Sequence, residues 1–345
     1  MVKLSIHTQP SYAVWIGRNL FDQLPVQGGT CVLVTDDTVD ALYGGRAAAL
    51  LNSRGVKTEK YVFPHGESGK SGENYLRLLS FLAGIPLTRR DFLVALGGGV
   101  VGDLTGFAAA TYLRGISYLQ IPTTILAQVD SSVGGKTAIN LPEGKNLAGA
   151  FHQPSFVLCD TGLLDTLPME QIKAGCGEVI KYALGFDKDL FALLEKDGMD
   201  FDREQVIARC IAIKDDLVSR DTQDHGCRQL LNLGHTVGHA IEKCSGFTLP
   251  HGIGVAMGMG IVTRAAVANH MCEPEVLLRL EALLAQFGLS SGSPYPMEQL
   301  IPAMLEDKKR MGDTLNLILP MSVGHCAVTP MPVADAIEFI RKGFL

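Results

Sequence analysis

In the first half of the chain, short apolar runs alternate with longer stretches of helical periodicity. Residues 30–35 read as a buried strand and residues 39–54 carry apolar positions at helical spacing. The pattern continues with a strand at 57–63, a helix at 75–82, a strand at 92–96 and an alanine-rich helix ending at 111. Further apolar runs lie at 118–121 and 156–160. Such alternation predicts a mostly parallel sheet covered by helices. After Pro168 the period changes. Helical spacing runs through 169–184, 190–196, 203–219, 229–243, 252–269, 275–287 and 297–308, and only 315–319 and 325–329 read as strands, of a small hairpin. The expectation is an α/β nucleotide-binding domain over 1–165 and a mainly α-helical domain with the metal and substrate site over 166–345.

Composition narrows the class. A length of 345 residues suits two cores better than one. A hydrophobic fraction of 47% with 19% charged residues excludes a disordered chain. The net charge of −6 lacks the basic surface of a nucleic-acid binder, so no nucleic-acid partner is expected. Residues 1–17 alternate polar and apolar positions, unlike a secretory leader, and no apolar run reaches the ~18–20 residues of a membrane span. The eight cysteines are scattered without a C-x-x-C pair, which reads as reduced thiols in a cytoplasmic protein.

Three segments carry chemistry. Gly97, Gly98 and Gly99 follow a strand and open a helix through Val100, Val101, Gly102 and Asp103. Glycines there admit a pyrophosphate to the N–H groups of a helix N-terminus, although the G-x-G-x-x-G fingerprint is absent. Next, Gly134-Gly135-Lys136-Thr137 resembles the tail of a P-loop, but Asp130 stands where the first glycine would be. What remains is a loop presenting Lys136, Lys145 and Asn146, suited to a phosphorylated or carboxylated small molecule. The third segment places Arg228, Asn232, His235 and His239 four, three and four residues apart, one face of a single helix. A third histidine, His251, opens a glycine-rich helix whose small residues allow close packing, and Glu178 lies upstream beside Lys181. One carboxylate and two histidines with an open position form a catalytic zinc set. Spacing alone does not choose which two of His235, His239 and His251 bind the metal.

Across residues 60–330, these segments resemble the 3-dehydroquinate synthases, members of the sugar-phosphate cyclase superfamily. The resemblance is carried by His65-Gly66-Glu67, the turn from Gly97 to Asp103, Thr111 to Gly115, Pro122 to Asn146, Gly175 to Tyr182, Lys214, Arg228 to Glu242, His251 to Met259 and Asp307-Lys308-Lys309. It implies that Glu178, His235 and His251 hold one divalent metal, Zn2+ or Co2+, and that His239 is an acid–base group contacting substrate. It implies substrate contacts at Asp130, Lys136, Lys145, Asn146, Lys181, Lys214, Arg228, Asn232 and one of Lys308 and Lys309. Arg114 would reach the neighbouring subunit's site in a homodimer. Contacts to NAD+ would come from Glu67, Lys70, Gly99, Val100, Val101, Gly102, Asp103, Thr123, Thr124, Lys136 and Lys145, with Asp36 at the adenosine end. The implied reaction converts 3-deoxy-D-arabino-heptulosonate 7-phosphate to 3-dehydroquinate and phosphate, in the shikimate pathway of aromatic amino acid biosynthesis. Three positions depart from the family pattern: His65 stands where aspartate is common, Cys176-Gly177 where Leu-Ala is usual, and Ile253 where a glutamate usually follows His251-Gly252. An amino-dehydroquinate or other cyclitol synthase is the alternative within the superfamily. A metal-dependent glycerol or alcohol dehydrogenase and a non-enzymatic nucleotide-binding module are the alternatives outside it.

Overall fold

Strand β3 (Thr30–Asp36) is apolar almost throughout because both of its faces are covered. Cys31 and Leu33 point into one core with Leu20, Phe21 and Leu51, whereas Val32 and Val34 point into the other with Leu78, Leu82 and Leu104. The computed structural model describes residues 1–224, 226–308 and 313–344. It divides into two compact units, Met1–Leu167 with Lys214–Gln223, and Pro168–Ile213 with Asp224–Leu345.

In the first unit, β1 (Val2–Ile6), β2 (Tyr12–Gly17), β3, β4 (Lys57–Phe63), β5 (Phe92–Gly97), β6 (Ser117–Pro122) and β9 (Phe156–Asp160) form one sheet in the order β1-β2-β9-β6-β5-β3-β4. Every pairing is parallel except β1 with β2, so the sheet is mostly parallel, as expected from the alternation. The helical connections are a short turn α1 (Asp37–Val39), α2 (Gly45–Ser53), α3 (Gly72–Gly84) and α4 (Gly99–Thr111). Helix α4 is apolar on nearly all sides because it lies against the sheet and against a hairpin, β7 (Lys136–Leu141) with β8 (Gly144–Phe151). That hairpin corrects the expectation of a loop presenting Lys136, Lys145 and Asn146. Its glycines and polar residues hide the period-two pattern, and the register shifts between Ile139 and Leu141.

The second unit contains α5 (Met169–Phe186), α6 (Lys188–Asp197), most of α7 (Arg203–Arg220), α8 (His235–Cys244), α9 (His251–Ala268), α10 (Pro274–Gln286) and α11 (Met297–Lys308). An antiparallel hairpin, β10 (Thr314–Ser322) with β11 (His325–Pro332), and α12 (Val333–Arg341) complete it. The end of α7, assigned above to a domain over 166–345, groups instead with the first unit. Asp215 accepts from the backbone N–H of His7 at 2.7 Å and its other oxygen lies 2.6 Å from His7 Nδ1, while Lys214 Nζ donates to the Asp130 carbonyl at 2.7 Å.

Helix α9 is long and apolar enough to cross a membrane, which corrects the reading that no segment is. It is nevertheless an interior helix, with 72% of its apolar window buried inside the fold. Glycines explain its position. A Cβ on Gly258 would lie 2.0 Å from the Gly234 carbonyl oxygen, one on Gly252 1.8 Å from that of Ala174, and one on Gly177 2.0 Å from that of Gly252. The backbone of α9 therefore touches α5 and the start of α8 directly, at distances no side chain allows. Gly258→Ala should destabilise the protein by about 2–3 kcal/mol through overpacking. Gly292→Ala, with nothing within 4 Å of its Cβ, should change stability by less than about 0.5 kcal/mol. Paired denaturation curves of the two variants check this.

Candidate active site

The expected helix over 229–243 is broken, because Gly234 has φ of 80° and ends a 3-10 turn that spans Cys227–Asn232. Arg228 and Asn232 therefore sit on that turn rather than on the helix of His235 and His239. Arg228 is buried and Asn232 exposed. The left-handed glycine is required: any Cβ there would meet the Val255 carbonyl oxygen and Met259 Cγ at 2.7 Å. The break places His235 in the first turn of α8.

Three helices then converge on one carboxylate. Glu178, in the middle of α5, is fully buried. Its Oε1 lies 3.6 Å from His235 Nε2 and 3.4 Å from His251 Nε2. A tetrahedral zinc with bonds of about 2.0–2.1 Å sets its donor atoms about 3.3–3.4 Å apart. The spacing thus matches the edges of a metal coordination shell. Neither Glu178 oxygen has a hydrogen bond of good geometry, although Lys181 Nζ approaches Oε2 to 2.5 Å. The Lys181 ammonium offsets part of the cost of burying this anion at Oε2, and Oε1, between the two imidazoles, is where a further cation would be stabilised.

The imidazoles are oriented for the same purpose. His235 Nδ1 lies 3.1 Å from the Leu233 carbonyl and His251 Nδ1 lies 2.7 Å from Glu242 Oε1, which leaves both Nε2 atoms facing Glu178. Burial, then the charge of Lys181, holds His235 well below the usual histidine range, so its ring stays neutral. Burial also disfavours a charge on His251, but the adjacent Glu178 and Glu242 carboxylates override it and push this residue up to about 10. The pocket between the two glutamates favours positive charge. His239 completes a histidine cluster whose donor atoms all lie within 4.8 Å of one another. Its ring centre is 5.2 Å from that of His235 and 5.6 Å from that of His251, and it is the most exposed of the three. Glu242, missed in the sequence reading, lies seven residues after His235 on the same stripe, and that spacing could have revealed it.

The first unit gathers a second set. Asp36 ends β3 and Gly97 ends β5, neighbouring strands from which the chain departs in opposite directions across the sheet. The crevice at such a switch point is the ligand position of open parallel sheets. Asp36 accepts from Val39 N–H at 2.8 Å, and burial raises its carboxyl above the usual range. Beyond β5, a Cβ on Gly99 would come within 3.0 Å of Ser131 Oγ, and one on Gly102 within 2.6 Å of Gln120 Oε1, so the first turn of α4, with Val101 buried in it, packs more closely than a side chain at either glycine would allow. Thr123 and Thr124 follow the adjacent strand end of β6. Buried Lys70 pairs with Asp103 and donates to Asn146 Oδ1 at 2.5 Å. Glu67 accepts from Asn140 at 2.7 Å.

Lys214 pairs with Asp130, and Lys136 stands exposed at the start of β7 with Lys145 half-buried on β8. Arg114 lies on an exposed turn at φ of 65°. Lys309 lies outside the described residues, as does the side chain of Lys308. The unusual His65 is tied to Asp37, with its backbone N–H at 3.1 Å and Nδ1 at 2.6 Å from one oxygen. The unusual Gly177 is what lets α5 touch α9.

Profiles of the 3-dehydroquinate synthase N-terminal and C-terminal regions match residues 60–174 and 175–310. The chain belongs to the 3-dehydroquinate synthase family. It is therefore an enzyme. The 3-dehydroquinate synthase of Desulforamulus reducens is 42% identical over 330 residues, covering 91% of this chain and 92% of that protein. Among solved structures, 2-deoxy-scyllo-inosose synthase complexed with carbaglucose-6-phosphate, NAD+ and Co2+ matches with a TM-score of 0.90 and 27% identity, over 99% of this chain and 100% of that one. The 2-epi-5-epi-valiolone synthase of Streptomyces hygroscopicus, with NAD+ and Zn2+ bound, matches with a TM-score of 0.88 and 27% identity, over 95% of each chain.

Because Glu242 fixes the tautomer of His251, Glu242→Gln should weaken divalent-metal affinity by about 10–100-fold while the fold persists. Competition against a zinc chelator, with circular dichroism as the control for folding, measures it.

Proposed function

We infer that this chain carries 3-dehydroquinate synthase activity: it converts 3-deoxy-D-arabino-heptulosonate 7-phosphate to 3-dehydroquinate and inorganic phosphate. That makes it a carbon–oxygen lyase of the shikimate pathway, working in the cytoplasm as a homodimer to which Arg114 contributes across the subunit boundary. The observation that carries the reading is the buried Glu178 carboxylate facing two imidazole Nε2 atoms at coordination-shell spacing, in a chain matched to this family in both its halves.

Glu178, His235 and His251 would hold one divalent ion, Zn2+ or Co2+, the ions bound by the two cyclases above. Glu67, Lys70, Asp103, Thr123, Thr124 and the glycine-opened helix start at Gly99 would hold NAD+, also bound by both. When bound, the ion supplies Lewis acidity toward a substrate hydroxyl and NAD+ supplies reversible hydride acceptance. The residues of the chain do the rest. His239, exposed beside His235 and His251, would take a proton from a substrate hydroxyl and return it. Lys136, Asn146, Lys181, Lys214 and Arg228 would bind the carboxylate and phosphate ends, and Asn232 a hydroxyl. Glu242 and the Leu233 carbonyl hold the two imidazoles in register. Because hydride acceptance by bound NAD+ would be reversible, the reaction would release phosphate without net NADH.

Ile253, beside His251, motivates a second reading, a cyclase of another sugar phosphate. Offering the purified enzyme glucose 6-phosphate and the heptulosonate phosphate in parallel separates the two. With the heptulosonate, NAD+ and zinc, one phosphate per turnover should appear with a flat absorbance at 340 nm. Stoichiometric NADH would instead indicate a dehydrogenase. Glu178→Ala and His235→Ala should lose metal and activity together. His239→Ala should retain metal, by elemental analysis, and lose at least about 100-fold in kcat. Loss of metal from the His239 variant would overturn its assignment.

A further inference from the structure

Asn140 is the centre of a hydrogen-bond chain that no role above accounts for. It sits at the register shift of the β7–β8 hairpin. Its Nδ2 donates to the Glu67 carboxylate at 2.7 Å and to the Glu67 carbonyl at 3.5 Å. Its Oδ1 accepts from the backbone N–H of Asn146 at 3.0 Å. The backbone N–H of Asn140 donates to the Lys70 carbonyl at 2.8 Å, and a bridge links Asn140 to Ser71. The amide orientation is determined by its partners, because a backbone N–H can only donate and the Glu67 oxygens can only accept.

The chain closes on itself. Asn146, held at φ of 58°, accepts from Lys70 Nζ through Oδ1, and Lys70 in turn pairs with Asp103. Thus one amide touches Glu67 on one side and Asn146 on the other, while the same Lys70 segment anchors its backbone. A left-handed asparagine stores strain and holds its place only when its neighbours determine it. Here Asn140 supplies that constraint from one side and Lys70 from the other.

We propose that Asn140 is a positioning residue that couples the cofactor contacts Glu67 and Lys70 to the substrate contact Asn146. This rests on the assignments under the proposed function. Asn140 itself touches neither ligand. It sets the Glu67 carboxylate and the turn bearing Asn146 as one unit, so disturbing it moves affinity for both.

The test is a double-mutant cycle on the full-length protein, with the NAD+ dissociation constant measured by titration calorimetry and KM and kcat for the heptulosonate measured alongside. Asn140→Asp keeps the acceptor for Asn146 N–H but replaces the donor to Glu67 with a like charge. It should raise the NAD+ dissociation constant at least tenfold and raise KM for the heptulosonate. In a Glu67→Gln background the glutamine amide can donate to the introduced carboxylate, so the same substitution should cost no more than twofold. An effect below twofold in the wild-type background, or equal effects in both backgrounds, would overturn the proposal. If Asn140→Asp alone fails to fold, the double variant decides: recovery of a folded, NAD+-binding protein supports the coupling, and continued misfolding refutes it. A wild-type protein that does not bind NAD+ would instead overturn the functional reading itself.

Discussion

Helix α9 meets α5 and α8 backbone to backbone, and the geometry of the metal-type site depends on that contact. Each of the three helices contributes one member of the Glu178, His235 and His251 set. The contacts made by Gly177, Gly252, Gly234 and Gly258 set the distances between their axes. Side chains could adjust such distances by changing rotamer, but carbonyl oxygens packed against Cα atoms cannot. The usual cost of glycine in a helix, about 1 kcal/mol each relative to alanine, is accepted here in exchange for close approach. The tautomer-fixing bonds from Glu242 and Leu233 then orient rings whose backbones are already placed.

The first unit positions its residues by a different device. A sheet buried on both faces forces its ligand-facing groups to the strand ends, and the departure of the chain in opposite directions from β3 and β5 opens the crevice there. Asp36 and the glycine turn after β5 lie at those strand ends because of topology, while Lys70 is fixed by its pairing with Asp103 and Glu67 by its hydrogen bond from Asn140. One unit relies on packing and the other on polar linkage.

These differences decide what could be read from the chain. The parallel strands were legible because burial on both faces leaves continuous apolar runs such as Thr30–Asp36 and Phe92–Gly97. The helices after Pro168 were legible from their period. The β7–β8 hairpin was not, because Gly144, Lys145, Asn146 and Gly149 carry no alternation, and its pairing depends on Thr137, Ala138 and Ile139 packing under α4. The break at Gly234 was concealed by residues that fit helical spacing on either side of it. Its cause lies in Val255 and Met259, more than twenty positions away. Glu178 and the three histidines were legible as a candidate ligand set without a choice among the histidines, but their distances, and the contact of Glu242 with His251, required the tertiary contacts. Asn140 left no trace in the sequence, since an asparagine between strands usually marks only a turn.

The fully buried Glu178 carboxylate also bears on how long the protein persists. Without a bound metal, the helical unit offsets the desolvation of this anion only through Lys181 and His251, and its oxygens stay poorly hydrogen-bonded. On the reading proposed above, an ion bound there joins α5, α8 and α9 and favours the folded chain by mass action, with a gain that grows with the logarithm of free-ion concentration. The abundance of the enzyme under metal starvation is then set by the same carboxylate that serves its chemistry. Scarcity of the ion would deplete the protein through unfolding and proteolysis as well as silencing the molecules that remain.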